Sequence, residues 1–195
     1  MGQAKRHRDA SMGAALRESR LPKEAVARAV REGVVVRATG LGLAGGLCGF
    51  HAAVGRAVLL ERFGIASRLV AGDFQRRVTP HVVHSYVGRT GRIDAASGAC
   101  HVWLVLADFG ATVDFDAWEE PVRYDATTRP HGPWTAPRPD FYWVGPGDRA
   151  PGLEAVRPDP DATAIVEARL SRPAERRFIA AACADALDLI GRRAA

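Results

Sequence analysis

The sequence predicts an α+β fold. Helical periodicity dominates its first third and its end, β-type runs gather in the middle, and two of those runs, HVWLVLAD and ATVDF, are joined by one tight turn. Helices, then an antiparallel sheet, then closing helices is the order of an α+β chain, because alternating βαβ units would interleave the two types.

Each element has its own signal. Residues 1–9, with KRHR at 5–8, read as a flexible basic tail, and residues 10–195 as a single domain. Helical patterning covers residues 10–32, where Pro22 suits a first helical turn and Gly33 suits a stop. VVVRATGLGLAGG then gives a short strand-like start and a glycine loop. Residues 48–62 return to helical spacing, with Ala52, Leu59 and Leu60 as core contacts, and Phe63-Gly64 ends the run. IASRLVAGDF reads as a strand that stops at Gly72-Asp73. Pro80 marks RRVTPHVVHSYVG as an edge or a break. Residues 89–98 form a turn-rich connection before the hairpin of 101–108 and 111–115, whose turn falls at Asp108-Phe109-Gly110. Residues 117–160 hold most of the prolines and three of the four tryptophans, Trp118, Trp134 and Trp143. Such a long segment reads as a functional loop, and the cluster Phe141-Tyr142-Trp143 as a substrate lid or as a flap packed on the sheet. Residues 161–192 form the C-terminal helices, broken at Ser171-Arg172-Pro173.

Composition narrows the function classes. The chain has 195 residues, 47% of them hydrophobic and 25% charged, which is ample for a packed core. A net charge of +5 is carried mostly by scattered arginines, with no nucleic-acid motif beside them, so specific nucleic-acid binding is not expected. Three cysteines without a C-x-x-C pair do not form a disulfide framework. The 18 uncharged residues between Arg37 and Arg56 include six glycines, too few apolar positions for a spanning helix. The expectation is a cytoplasmic protein without membrane attachment. The oligomeric state is not readable.

Three residues stand in an order that carries chemistry. Cys48 opens a helix after the glycine-rich GLGLAGGL, His101 opens a strand, and Asp114 lies near the end of the next one. The positive end of a helix favours a thiolate, and its unpaired first-turn N–H groups can receive an oxyanion. His101 would then serve as base and acid, and Asp114 would accept the Nδ1 proton and hold the tautomer. In a tight hairpin these two are roughly cross-strand neighbours on one face. Gly45, Gly46 and Gly49 allow a substrate close to the backbone. Gly46, Leu47 and Gly49 around the thiol, with Trp103 and the lid aromatics Tyr142 and Trp143, make up the expected substrate-binding set.

The segments GLCGFHAAVGRAVLLERFGIASRLVAG and HVWLVLADFGATVD resemble the nucleophile helix, following strand and histidine hairpin of the transglutaminase-like group of papain-like cysteine proteases. The resemblance spans about residues 40–116. It implies a nucleophile helix packed on an antiparallel sheet, with N- and C-terminal helices around this core. It also implies Cys48 as nucleophile, His101 as base and Asp114 as orienting acid, with Trp103 at the family's aromatic position. Enzymes of this group hydrolyse, deamidate or cross-link amides, or transfer acyl groups, through a thioester, and need no cofactor. Val102 replaces the family's small residue after the histidine, and the D-P-T ending is replaced by Asp114-Phe115-Asp116. Asp116 is thereby an alternative carboxylate on the same strand face as Asp114, or else a solvated or turn carboxylate. No upstream glutamine or asparagine is placed for an oxyanion hole, so backbone donors must suffice.

Competing readings remain at this stage. Cys48, His51, Cys100 and His101 are the right types for zinc, yet Cys100 and His101 are adjacent on a strand and point to opposite faces, so no metal is expected. Cys183 reads as a core thiol, His51 as a neighbour of Cys48 on the helix surface that tunes the pocket or simply packs, and His81 and His84 as structural or exposed. The leading expectation is a cysteine hydrolase or acyltransferase acting on a peptide, protein or small acyl substrate, with water as acceptor. The alternatives are a non-catalytic binding module using residues 134–145, and a small-molecule acyltransferase with the same triad.

Overall fold

The computed structural model describes residues 21–42, 47–87, 91–119, 121–122, 124 and 133–193. The basic tail, Gly45 and Gly46 lie outside these residues. The described residues form helices α1 (Lys23–Gly40), α2 (Cys48–Phe63), α3 (Pro160–Leu170) and α4 (Pro173–Arg193). Their strands are β1 (Ser67–Thr79), β2 (Val82–His84), β3 (His101–Leu106), β4 (Thr112–Asp114), β5 (Tyr142–Val144) and β6 (Leu153–Pro158). The fold is α+β, as expected, with every strand pairing antiparallel.

The first helix departs from the sequence reading. Gly33 does not stop it, and Val34–Val36 are helical rather than the start of a strand. Val26, Val30, Gly33, Val34 and Ala38 recur on one buried face. A Cβ at Gly33 would lie 2.6 Å from the Ala182 carbonyl oxygen of α4. The glycine is there for helix–helix contact, a use that sequence alone does not separate from a stop.

Strand β1 also runs on, through Gly72-Asp73 to Thr79. Gly72 pairs with His101 of β3 on one edge and Pro158 of β6 on the other. A Cβ there would meet the Arg157 carbonyl oxygen at 2.2 Å, so the glycine admits a close neighbour rather than ending the strand. The expected break at Pro80 is present, and β2 folds back along Arg76–Thr79. Sheet order is β2-β1-β3-β4-β5, with β6 on β1.

Both faces of the sheet are covered. Leu69, Ala71, Val102, Leu104, Leu106, Val113 and Phe115 share one core with the helices. Val70, Phe74, Trp103 and Tyr142 form a second cluster on the opposite face. This explains why β3 reads as a nearly continuous apolar run rather than an alternating one. The proposed aromatic lid belongs to this architecture. Tyr142 is buried in β5, pairs with Asp114 of β4, and donates its hydroxyl hydrogen bond to the Pro151 carbonyl. Trp143 is half-buried with Lys23 over its ring. The segment is the edge strand that ends the sheet order, and alternate residues of YWV find partners on the two sheet faces.

Candidate functional site

The site forms where the start of α2 meets the start of β3 and the end of β4. Leu47, buried, precedes the helix, and Cys48 is its first residue. Gly55, two turns on, fixes how the helix sits. A Cβ there would be 2.2 Å from the Phe115 ring, so that ring fills the notch and brings α2 onto the hairpin. Gly49, by contrast, faces Leu170 of α3, with space for a Cβ at 3.7 Å. Its described surroundings are packing contacts with the helix layer.

The hairpin places His101 and the carboxylates. Leu104 pairs with Val113 and Val105 with Thr112, a register that sets Asp114 diagonal to His101 on the same face. His101 Nε2 lies 3.0 Å from Asp114 Oδ2, and both side chains are buried. The nitrogen facing the carboxylate is thus Nε2 and not the expected Nδ1. The contact is at ion-pair distance without the alignment of a linear hydrogen bond. The same register continued would set Asp116 opposite His101, but β4 ends at Asp114. Asp114 Oδ1 accepts the Asp116 backbone N–H at 2.8 Å, a side-chain turn that reverses the chain. Asp116 is thereby directed at α2, where its Oδ1 stands 2.9 Å from His51 Nδ1.

His51 is therefore not a surface neighbour. It is fully buried one turn after Cys48, with Trp118 edge-on at 6.2 Å. The sequence signal for it was the i, i+3 spacing from Cys48, which sets both on one helix face. The signal for Asp116 was its place two residues after Asp114.

The His101 ring is enclosed by aromatic side chains. Phe74 lies 5.1 Å away and Tyr86 4.5 Å away between ring centres. Tyr86 is held there by Asp73, whose carboxylate accepts the Tyr86 backbone N–H at 2.8 Å and the Ser85 hydroxyl at 2.7 Å. Trp103 is buried beneath, 5.5 Å from Phe74. It supports the His101 side of the sheet from within the core.

Cys48 Sγ, a nitrogen of His101 and an oxygen of Asp116 all lie within 4.8 Å of one another. Burial pushes the Cys48 thiol well above its ordinary value, and the charges of Asp116, Cys100 and Asp114 push the same way. The Val102 backbone N–H, donating to the sulfur, acts in the opposite direction. The expected depressed thiol is thus reversed: a helix start cannot offset enclosure beside two carboxylates. Burial also raises the Asp114 carboxyl, but His101, the Asp116 N–H and Arg76 together hold it below the usual carboxylate value. Arg76 is fully buried between the rings of Trp134 and Tyr142, at 4.9 and 5.2 Å, and donates to the Ala117 carbonyl at 2.7 Å.

The remaining candidates lie elsewhere. Cys183 is a buried thiol of α4, raised to about 11 by burial and by Glu61. Cys100 is buried next to His101 in sequence and also raised, chiefly by burial. His81 is exposed, and His84 packs edge-on to Tyr86 at 5.0 Å. Among the described residues, no helix is long and apolar enough to cross a membrane.

No family model matches the chain, and no curated protein matches it. Among solved structures, it is similar to a crystal structure described as genomics APC5867, at 16% identity and a TM-score of 0.54. That similarity covers 86% of this chain and 79% of the other, and it is a likeness of fold.

Proposed function

We propose that the protein is a cysteine-dependent hydrolase or acyltransferase of papain-like, transglutaminase-like type, acting on an amide or related acyl bond through a thioester at Cys48. The observation that carries this reading is the meeting of Cys48 Sγ with the His101 ring, itself backed by Asp114 at 3.0 Å. In this reading His101 Nδ1, the nitrogen turned from Asp114, takes the thiol proton as sulfur attacks the acyl carbon. The raised thiol makes proton removal concurrent with attack, rather than a resting thiolate the nucleophile. Asp114, held ionised, stabilises the imidazolium that results. His101 then returns the proton to the leaving group, and water or another acceptor releases the acyl group. First-turn N–H groups of α2 would receive the oxyanion.

An activated acyl ester tests this directly. The native protein should acquire one acyl group on Cys48, found by peptide mass spectrometry, and lose it on standing. His101→Gln should slow its acquisition. Acylation at the same rate in that variant, or acylation spread equally over Cys48, Cys100 and Cys183, would end the reading.

A further inference from the structure

The group at the start of α2 has a second chemical competence. Its three side chains are a thiol, an imidazole and a carboxylate, contributed by α2, β3 and the turn after β4. Zinc-class ions take such donors, and a tetrahedral ion sets them roughly 3.4–3.6 Å apart. The three donor atoms are within 4.8 Å of one another, so they need to close by no more than about 1.4 Å.

Two further observations point to a cation. His101 Nδ1 is buried without an aligned hydrogen-bond partner among the described residues. Two of the donors also have a second polar group behind them. Asp114 stands 3.0 Å from the Nε2 side of His101, which leaves Nδ1 to face an ion. His51 Nδ1 stands 2.9 Å from Asp116 Oδ1 and leaves further lone pairs of that carboxylate available. Backing of a ligating imidazole by a carboxylate, and of a ligating carboxylate by a donor, is how metal sites orient their ligands. Charge agrees with geometry. Asp116 is itself a donor and Asp114 lies behind His101, so the pocket gathers negative charge that favours a divalent cation. Arg76 offsets part of that charge at Asp114.

We propose that Cys48, His101 and Asp116 form a three-ligand site for a zinc-class divalent cation, open at a fourth position to water, and that the bound ion caps the thiol. Binding exchanges the thiol proton for the metal: the S–H bond breaks, an S–Zn bond forms, and the proton leaves to solvent. No electron moves. That the cap suppresses catalysis rests on Cys48 being the nucleophile, whereas the site itself does not.

Cobalt(II) added to the metal-free protein is the probe. One equivalent should bind and give the thiolate-to-cobalt charge-transfer band with the strong visible bands of four-coordination. The band should vanish in Cys48→Ser, and Asp116→Asn should weaken binding at least tenfold, with folding of both checked by near-ultraviolet circular dichroism. One equivalent of zinc should slow iodoacetamide labelling of native Cys48 at least tenfold, and a chelator should restore it. The native-protein labelling needs no variant to fold. Failure of the native protein to retain either metal, an unchanged band in Cys48→Ser, or labelling indifferent to zinc would each overturn the site. Acyl transfer by metal-free protein is read separately: its absence from a protein that does bind zinc ends the catalytic reading alone, and its presence in a protein that retains neither metal ends this one.

Discussion

Two histidine–aspartate pairs flank the sulfur, and they are built differently. His101 and Asp114 both belong to the hairpin, so their separation of 3.0 Å is set by strand register. His51 and Asp116 belong to different layers, α2 and the turn after β4, so their separation of 2.9 Å depends on how the helix docks. The first pair survives anything that leaves the sheet intact. The second holds only while Phe115 occupies the notch at Gly55. Similar contacts therefore divide into a fixed pair suited to chemistry and a latch that joins helix to sheet.

The largest effect expected separates the two imidazoles. His101→Gln should slow acylation of Cys48 by about 10²–10⁴, the usual contribution of a positioned base. His51→Gln should slow it less than about tenfold while lowering stability by about 1–3 kcal/mol, the cost of a buried polar group left unpaired. Equal losses of rate in the two variants would erase the distinction.

Next in size is the docking notch. Gly55→Leu drives a side chain into the Phe115 ring and should cost about 1–3 kcal/mol, read as a lower urea midpoint at unchanged slope. Histidine resonances should report the change at His51 before His101. The reverse order would show that the hairpin, not the helix, is the yielding part.

A smaller effect tests the charge on each pair. Asp116 is the first charged group raising the Cys48 thiol, ahead of Asp114. Asp116→Asn should therefore move the midpoint of the alkylation–pH profile downward. Labelling near neutrality should quicken about tenfold for every pH unit by which that midpoint falls. An unmoved midpoint would remove Asp116 from the thiol's surroundings.

The smallest effect is on acid stability. The Asp114 carboxyl is lower when folded than the unfolded value of about 3.9, so its stabilisation is complete above that value and fades as pH falls through the lower folded one. Asp114→Asn should flatten the fall in stability below about pH 4 in acid unfolding curves. An equally steep fall would place the responsible carboxylate elsewhere.

Legibility in the sequence followed the range of the interaction. The helix start at Cys48, the strand at His101 and the turn near Gly110 are local, and their residues announced them. Gly33 and Gly72 misled because a glycine that ends an element and one that admits a neighbour look the same in one dimension. His51 and Asp116 were underrated for a related reason. What makes them a pair is a side-chain turn at Asp114 and a helix docked by Phe115, neither of which is a spacing. The aromatic run at 141–143 left lid and packed flap open because its covering partners, Phe74, Arg76 and Lys23, are remote in sequence.

The separation of these parts along the chain has a consequence for when the thiol is brought to its imidazole. Residues 48 and 101 are separated in the chain by β1, against which β3 is paired from Ser67–Leu106 to Gly72–His101. Contacts between such distant segments form late, since loop closure must precede them. A nascent chain halted before residue 101 carries Cys48 without His101 or Asp114. The meeting of sulfur and imidazole is thus tied to the pairing of β3 with β1.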